Sequence, residues 1–123
     1  MKHLLLGLAV ASLAACSVDP QQAADRRQAL IQHVFPNPAD QRGLHLVFPI
    51  ESFGYYNNME IIFFPDEVSQ NAVSQRVARY CAPHTGTTKA YTKRPAQSIS
   101  ATLADGSKRP ATQVWFSCKP PKS

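Results

Sequence analysis

Ile61-Ile62-Phe63-Phe64, which closes the largely apolar segment Met59 to Phe64, is the stretch that most restricts how this chain folds. In a strand, successive side chains point to opposite faces, so four large apolar residues in a row require cover on both sides. The segment therefore predicts a central strand. Leu44 to Ile50 is a second short run of aliphatic and aromatic residues, and the two are separated by Gly54-Tyr55-Tyr56-Asn57-Asn58. Together they predict a hairpin with a long loop, in which Phe53, Tyr55 and Tyr56 either pack down or stand out as a stacking platform.

A helix is predicted over residues 67–81. Asp66 is its cap, Arg76 and Arg79 lie near its negative end, and Ala72, Val73, Val77, Tyr80 and Cys81 recur at helical spacing as one apolar face. Pro83 is expected to end it, and Gly86 to turn the chain. The last third reads as three strands, Thr87 to Lys93, Ser98 to Leu103 and Ala111 to Cys118, with Asp105-Gly106 as a hairpin turn between the second and third. Ile99, Ala101 and Leu103 alternate with polar neighbours, as do Val114, Phe116 and Cys118. Strict alternation puts Trp115 on the face opposite Val114 and Phe116. The fold class that follows is α+β: a small two-layer domain with one main helix packed on a largely antiparallel sheet.

The start of the chain has the form of an export signal. Lys2 supplies a positive end, Leu4 to Leu13 an apolar run, and Ala14-Ala15 small residues before a cleavage point. An apolar run this short falls below the roughly 20 residues that a membrane-spanning helix needs. Cys16 follows Leu13-Ala14-Ala15 directly, and this stretch resembles the lipobox of bacterial lipoproteins, which is cut before a cysteine whose thiol carries diacylglycerol. The resemblance covers only the first 17 residues. It implies removal of residues 1–15, a mature chain that begins at an acylated Cys16, and attachment to the membrane through lipid rather than through a helix. Ser17, where an Asp would favour the inner membrane in enterobacterial lipoproteins, leans toward the outer membrane, with the domain in the periplasm.

The 108 residues of positions 16–123 suffice for one domain with its own core. Residues 16–42 read as the acylated start, a short helix capped by Asp19 with Pro20 in its first turn, and a linker at Pro36-Asn37-Pro38-Ala39-Asp40. Residues 43–123 read as the globular domain. Of the three cysteines in the chain, acylation of Cys16 leaves Cys81 and Cys118, an even pair in an oxidising compartment, which predicts a disulfide that ties helix to sheet. Cys81 and His84 also raise a nucleophile-and-base reading, but Pro83 lies between them and no motif supplies a third partner. No metal-ligand spacing occurs, so neither a catalytic set nor a metal or cofactor is expected. His33 and His45 read as surface or boundary residues.

Charge is segregated along the chain. Residues 16–67 hold three basic and seven acidic residues, whereas residues 68–123 hold nine basic residues against Asp105 alone. Lys89, Lys93 and Arg94 lie on or beside one predicted strand, and Lys108 and Arg109 beside the Asp-Gly turn, so they are candidates for one basic patch, with Trp115 as an aromatic anchor. In the envelope such a patch suits an anionic polymer or an acidic protein surface, and the compartment argues against nucleic acid. The expected function is a non-catalytic binding or assembly lipoprotein of the envelope. The alternatives are a small envelope hydrolase or thiol oxidoreductase using Cys81, and a transfer-apparatus or exclusion-type lipoprotein.

Overall fold

The computed structural model describes residues 19–52 and 54–120. The lipobox and Phe53 lie outside them. The elements are α1 (Pro20–Val34), α2 (Pro38–Gln41), β1 (Leu44–Ser52), β2 (Tyr55–Phe63), α3 (Gln70–Thr85), β3 (Tyr91–Thr92), β4 (Gln97–Thr102) and β5 (Lys108–Ser117). The strands form one antiparallel sheet in the order β1-β2-β5, and the far edge of β5 pairs with β4 along its first half and with β3 at its end. This is the expected α+β domain. β2 is central, as its consecutive apolar residues required.

The register separates two apolar clusters. Met59, Ile61 and Phe63 stand opposite Phe116, Val114 and Thr112. With Val47 they face Ile31, Val34 and Phe35 of the α1 end and Val73, Val77 and Cys81 of α3. On the other face Ile62 and Phe64 join Ala101 and Ala111, with Leu46, Ile99 and Leu103 packed around them. A bulge at His45 makes this possible: Leu44 pairs with Phe63 but Leu46 with Ile62, so the two leucines serve opposite faces. The β4–β5 hairpin reaches α1, where Arg27 donates to the Thr102 carbonyl at 3.3 Å and Pro20 lies beside Gly106.

Several boundaries differ from the sequence reading, each for a local reason. The expected hairpin loop is strand instead. β2 begins at Tyr55 because Gly54, at φ 85°, turns the chain tightly and Asn57 is absorbed as a second bulge. The expected linker contains α2, a single turn whose Asn37 side chain accepts the Ala39 N–H. α1 is built into the main core through Ile31, Val34 and Phe35 rather than standing apart from it. α3 starts at Gln70, since Ser69 and not Asp66 caps it by accepting the Ala72 N–H at 3.0 Å. Pro83 lies inside the last turn and supplies no N–H there, yet the helix continues to Thr85 and ends at Gly86, which takes the left-handed φ of 77°. The strand expected over residues 87–93 shortens to Tyr91–Thr92.

Cys81 and Cys118 are bonded, with Cα atoms 5.4 Å apart and a sequence separation of 37. Both are buried. The bulge at Asn57 presents its carbonyl to the Cys118 N–H at 2.9 Å, which fixes the residue just past β5 under the end of α3. Replacing both cysteines with alanine is expected to lower stability by about 4 kcal/mol, as closure of a loop of this length predicts, read from urea unfolding midpoints. Gly43 is held at φ 80°, and an added Cβ would lie 2.7 Å from Val68 Cγ1. Gly43→Ala should therefore cost about 2 kcal/mol in the same measurement.

Candidate functional site

The sheet face away from the helices is covered only at the hairpin end. Beyond Ile62 the register sets Phe48, Glu60 and Trp115 side by side across three strands, followed by Ile50 and Asn58. Phe48 and Ile50 are 51% and 43% exposed. Gln113 donates to Glu60 Oε1 at 3.1 Å, so the carboxylate in the middle of this row is held by the sheet itself. Trp115 is half-buried, and the Arg94 guanidinium carbon lies 5.3 Å from its ring centroid. The Lys93 N–H donates to the Trp115 carbonyl at 2.9 Å, which brings the chain carrying Lys93 and Arg94 alongside β5. A flat aromatic ring with a guanidinium over it and aliphatic side chains across the sheet can stack on a ring or an apolar surface and attract an anion.

The five basic residues singled out in the sequence fall into separate places. Arg94 and Lys93 flank Trp115, while Lys89 is exposed in the segment that leads to β3. Arg109 lies six positions back along β5, about 20 Å at strand spacing. Its guanidinium bonds both Asp66 oxygens at 2.9 and 3.0 Å and Glu67 at 2.9 Å, and sits 4.0 Å from the Phe64 ring centroid. Those carboxylates, Asp66 first, hold its pKa above the ordinary value. Lys108 reaches the Thr102 hydroxyl beside it. Arg109 thus closes the second apolar cluster, and of the five only Lys93 and Arg94 lie beside Trp115.

The tyrosines turn inward. Tyr55 stacks on His84 with centroids 4.5 Å apart, and the Tyr56 N–H donates to the Tyr80 hydroxyl oxygen at 3.0 Å. His33 Nε2 and the Tyr56 hydroxyl share a hydrogen bond of 2.8 Å. Burial raises the Tyr80 pKa. His84 is therefore stacked between rings, and Cys81, which it was weighed with as a base, carries no thiol.

A second concavity escaped the sequence reading. Val34, Phe35, Pro36 and Asn37 on one side and Arg76, Arg79 and Tyr80 on the other, with Asp40 at the edge, line a cleft of about 230 Å³. Arg76 Nη1 donates to the Asp40 and Arg42 carbonyls at 2.9 and 2.7 Å, and Arg79 Nη2 to Asp40 Oδ1 at 2.7 Å. Burial lowers the Arg76 pKa; Asp40 opposes the shift, and Arg79 and Arg42 add to it. The helical spacing of Arg76, Arg79 and Tyr80 was legible, but nothing local announces that Phe35 and Asp40 meet them.

The chain matches no protein-family model, no curated protein and no solved structure.

His45, the bulge residue, is half-buried, with its ring 5.5 Å from Phe64. Burial first, and then the charge of Arg27, lowers its pKa to about 4. The unfolded chain therefore binds this proton more readily, so the contribution of His45 is complete above pH 6.5 and is lost as pH falls toward 4. His45→Gln should flatten the fall in the urea midpoint across that window; an unchanged slope would assign the pH dependence to other groups.

Proposed function

We propose that the protein is a lipid-anchored lipoprotein of the bacterial cell envelope whose domain serves as a non-catalytic binding or assembly module, facing the periplasm from the outer membrane. The observation that carries the reading is the cysteine pattern. Cys81 and Cys118 are joined, as suits an oxidising compartment, and the third cysteine is Cys16, which follows Leu13-Ala14-Ala15 at the end of the apolar run. Among the described residues no helix is long and apolar enough to cross a membrane. In this reading two or three acyl chains hold the protein at the bilayer.

Four residues of chain reach at most about 14 Å. An anchor at Cys16 therefore holds the start of α1, and the β4–β5 turn beside Pro20, near the headgroups. The opposite end, with His33, Tyr56 and the disulfide, extends into the periplasm, and the Phe48–Trp115 row lies along the side. There Trp115 and Arg94, with Lys93 beside them, favour an anionic envelope polymer. Exposed Phe48 and Ile50 favour the second class of partner, an apolar patch on an envelope protein.

The rival thiol-enzyme reading has little support, because the Cys81 sulfur is bonded and buried where an attacking thiolate has no access. The transfer-apparatus or exclusion-type reading shares the anchor and the size of this one.

The intact mass of protein extracted from membranes tests the anchor: a chain that begins at Cys16 with acyl chains added is expected, and Cys16→Ser should release the protein from the membrane fraction. An unacylated mass would refute it. For the surface, the triple variant Trp115→Ala, Arg94→Gln, Lys93→Gln is expected to bind isolated peptidoglycan or lipopolysaccharide vesicles about tenfold more weakly than the unaltered protein. Equal binding, with the thermal midpoint preserved, would remove this face from the proposal.

A further inference from the structure

Phe35 closes α1 by donating its N–H to the Ile31 carbonyl at 2.8 Å, and its ring meets Tyr80 of α3 edge-on, with centroids 6.5 Å apart. These two rings, with Val34 and Pro36, give the 230 Å³ cleft an apolar floor. Its rim is cationic. Arg76 and Arg79 line it, the charge of Arg42 also acts on Arg76, and Asp40, paired with Arg79, is the one carboxylate among them, which leaves two positive charges in excess. Arg76 spends Nη1 on two backbone carbonyls, which carry no net charge, and Arg79 spends Nη2 on Asp40. Among the described residues no acceptor is bonded to the remaining N–H groups of either guanidinium. A partly buried cation with surplus like charge beside it is stabilised by an anion, and a guanidinium edge matches a planar carboxylate bidentately.

The apolar floor decides what carries that carboxylate. A bare inorganic anion would use the arginines and leave Phe35 and Tyr80 idle. The volume is below the roughly 300–1,000 Å³ of sites that enclose a whole small ligand, so the cleft suits the end of a longer molecule. We infer that this cleft binds the C-terminal carboxylate of a peptide chain that ends in an apolar residue, with the carboxylate on Arg76 and Arg79 and the terminal side chain against Phe35 and Tyr80. The site is independent of the lipid anchor and of the Trp115 face.

The test is a titration of the folded domain, followed through backbone amides and arginine Nε–H signals by NMR. The probes are N-acetyl-alanyl-leucine, the same dipeptide as its C-terminal amide, and inorganic phosphate. Saturable shifts are expected at Arg76, Arg79 and Tyr80, with the free acid binding about tenfold more tightly than the amide. Arg79→Gln should abolish that preference. Its side chain is 58% exposed, so loss of its ion pair with Asp40 costs little stability. Arg79→Lys, which keeps the charge and loses the fork, should fall between the two. Equal affinity for acid and amide, shifts confined to other residues, or no shift with any probe would overturn the assignment. Phosphate that binds as tightly as the dipeptide acid would overturn the peptide part and leave a simple anion site.

Discussion

Burial of β2 on both faces is the constraint on which the rest of this structure depends. Its odd-numbered residues Met59, Ile61 and Phe63 demand cover from helices, and Ile62 with the adjoining Phe64 demands cover on the opposite side. One helix cannot meet both requirements. The chain answers with α1 and α3 on one face, and on the other with side chains of the β4–β5 end of the same sheet, Ile99, Ala101, Leu103 and Ala111, gathered around Ile62 and Phe64. Each large side chain withdrawn from water contributes roughly 2 kcal/mol, so the two clusters outweigh any single polar contact. Arg109, held by Asp66 and Glu67, completes the smaller cluster by lying over Phe64.

The disulfide works on this frame rather than replacing it. Val73 and Val77 already seat α3 on the sheet; the Cys81–Cys118 bond fixes the far end of the helix to the strand that β2 pairs with. Above that end Tyr55, Tyr56, Tyr80, His33 and His84 interlock, so the aromatic residues that looked available for stacking serve the packing of α1 and α3. The two surfaces proposed for binding lie where this cover stops: the Phe48–Trp115 row beyond the hairpin, and the cleft between the end of α1 and α3.

Legibility differed between elements for physical reasons. The apolar face of α3 and the alternation in β4 and β5 were readable because burial imposes a period on a single segment. The start of α3 was misplaced, since Asp66 and Ser69 are both good caps and only the pairing of Asp66 with Arg109 takes it away from the helix. Tyr55 to Asn58 looked like loop because two asparagines and a nearby glycine signal a turn, yet pairing with β1 and a bulge at Asn57 draw them into the strand. The five-residue basic patch divided because positions close in sequence need not share a face, and because carboxylates from before α3 neutralise Arg109.

From the sequence alone came what depends on composition and on one segment at a time: a central doubly buried strand, the two-layer α+β class, the pairing of Cys81 with Cys118, and Trp115 on the face away from Val114 and Phe116. Only the tertiary structure decided which cations remain outward, that α1 belongs to the main core, that His45 is held neutral beside Arg27, and that Phe35, Asp40, Arg76 and Tyr80 enclose a cleft. These last features arise between segments well apart in the chain, 18 residues for Arg27 and His45 and 45 for Phe35 and Tyr80, where neither periodicity nor local propensity carries information, and contact alone determines charge, exposure and shape.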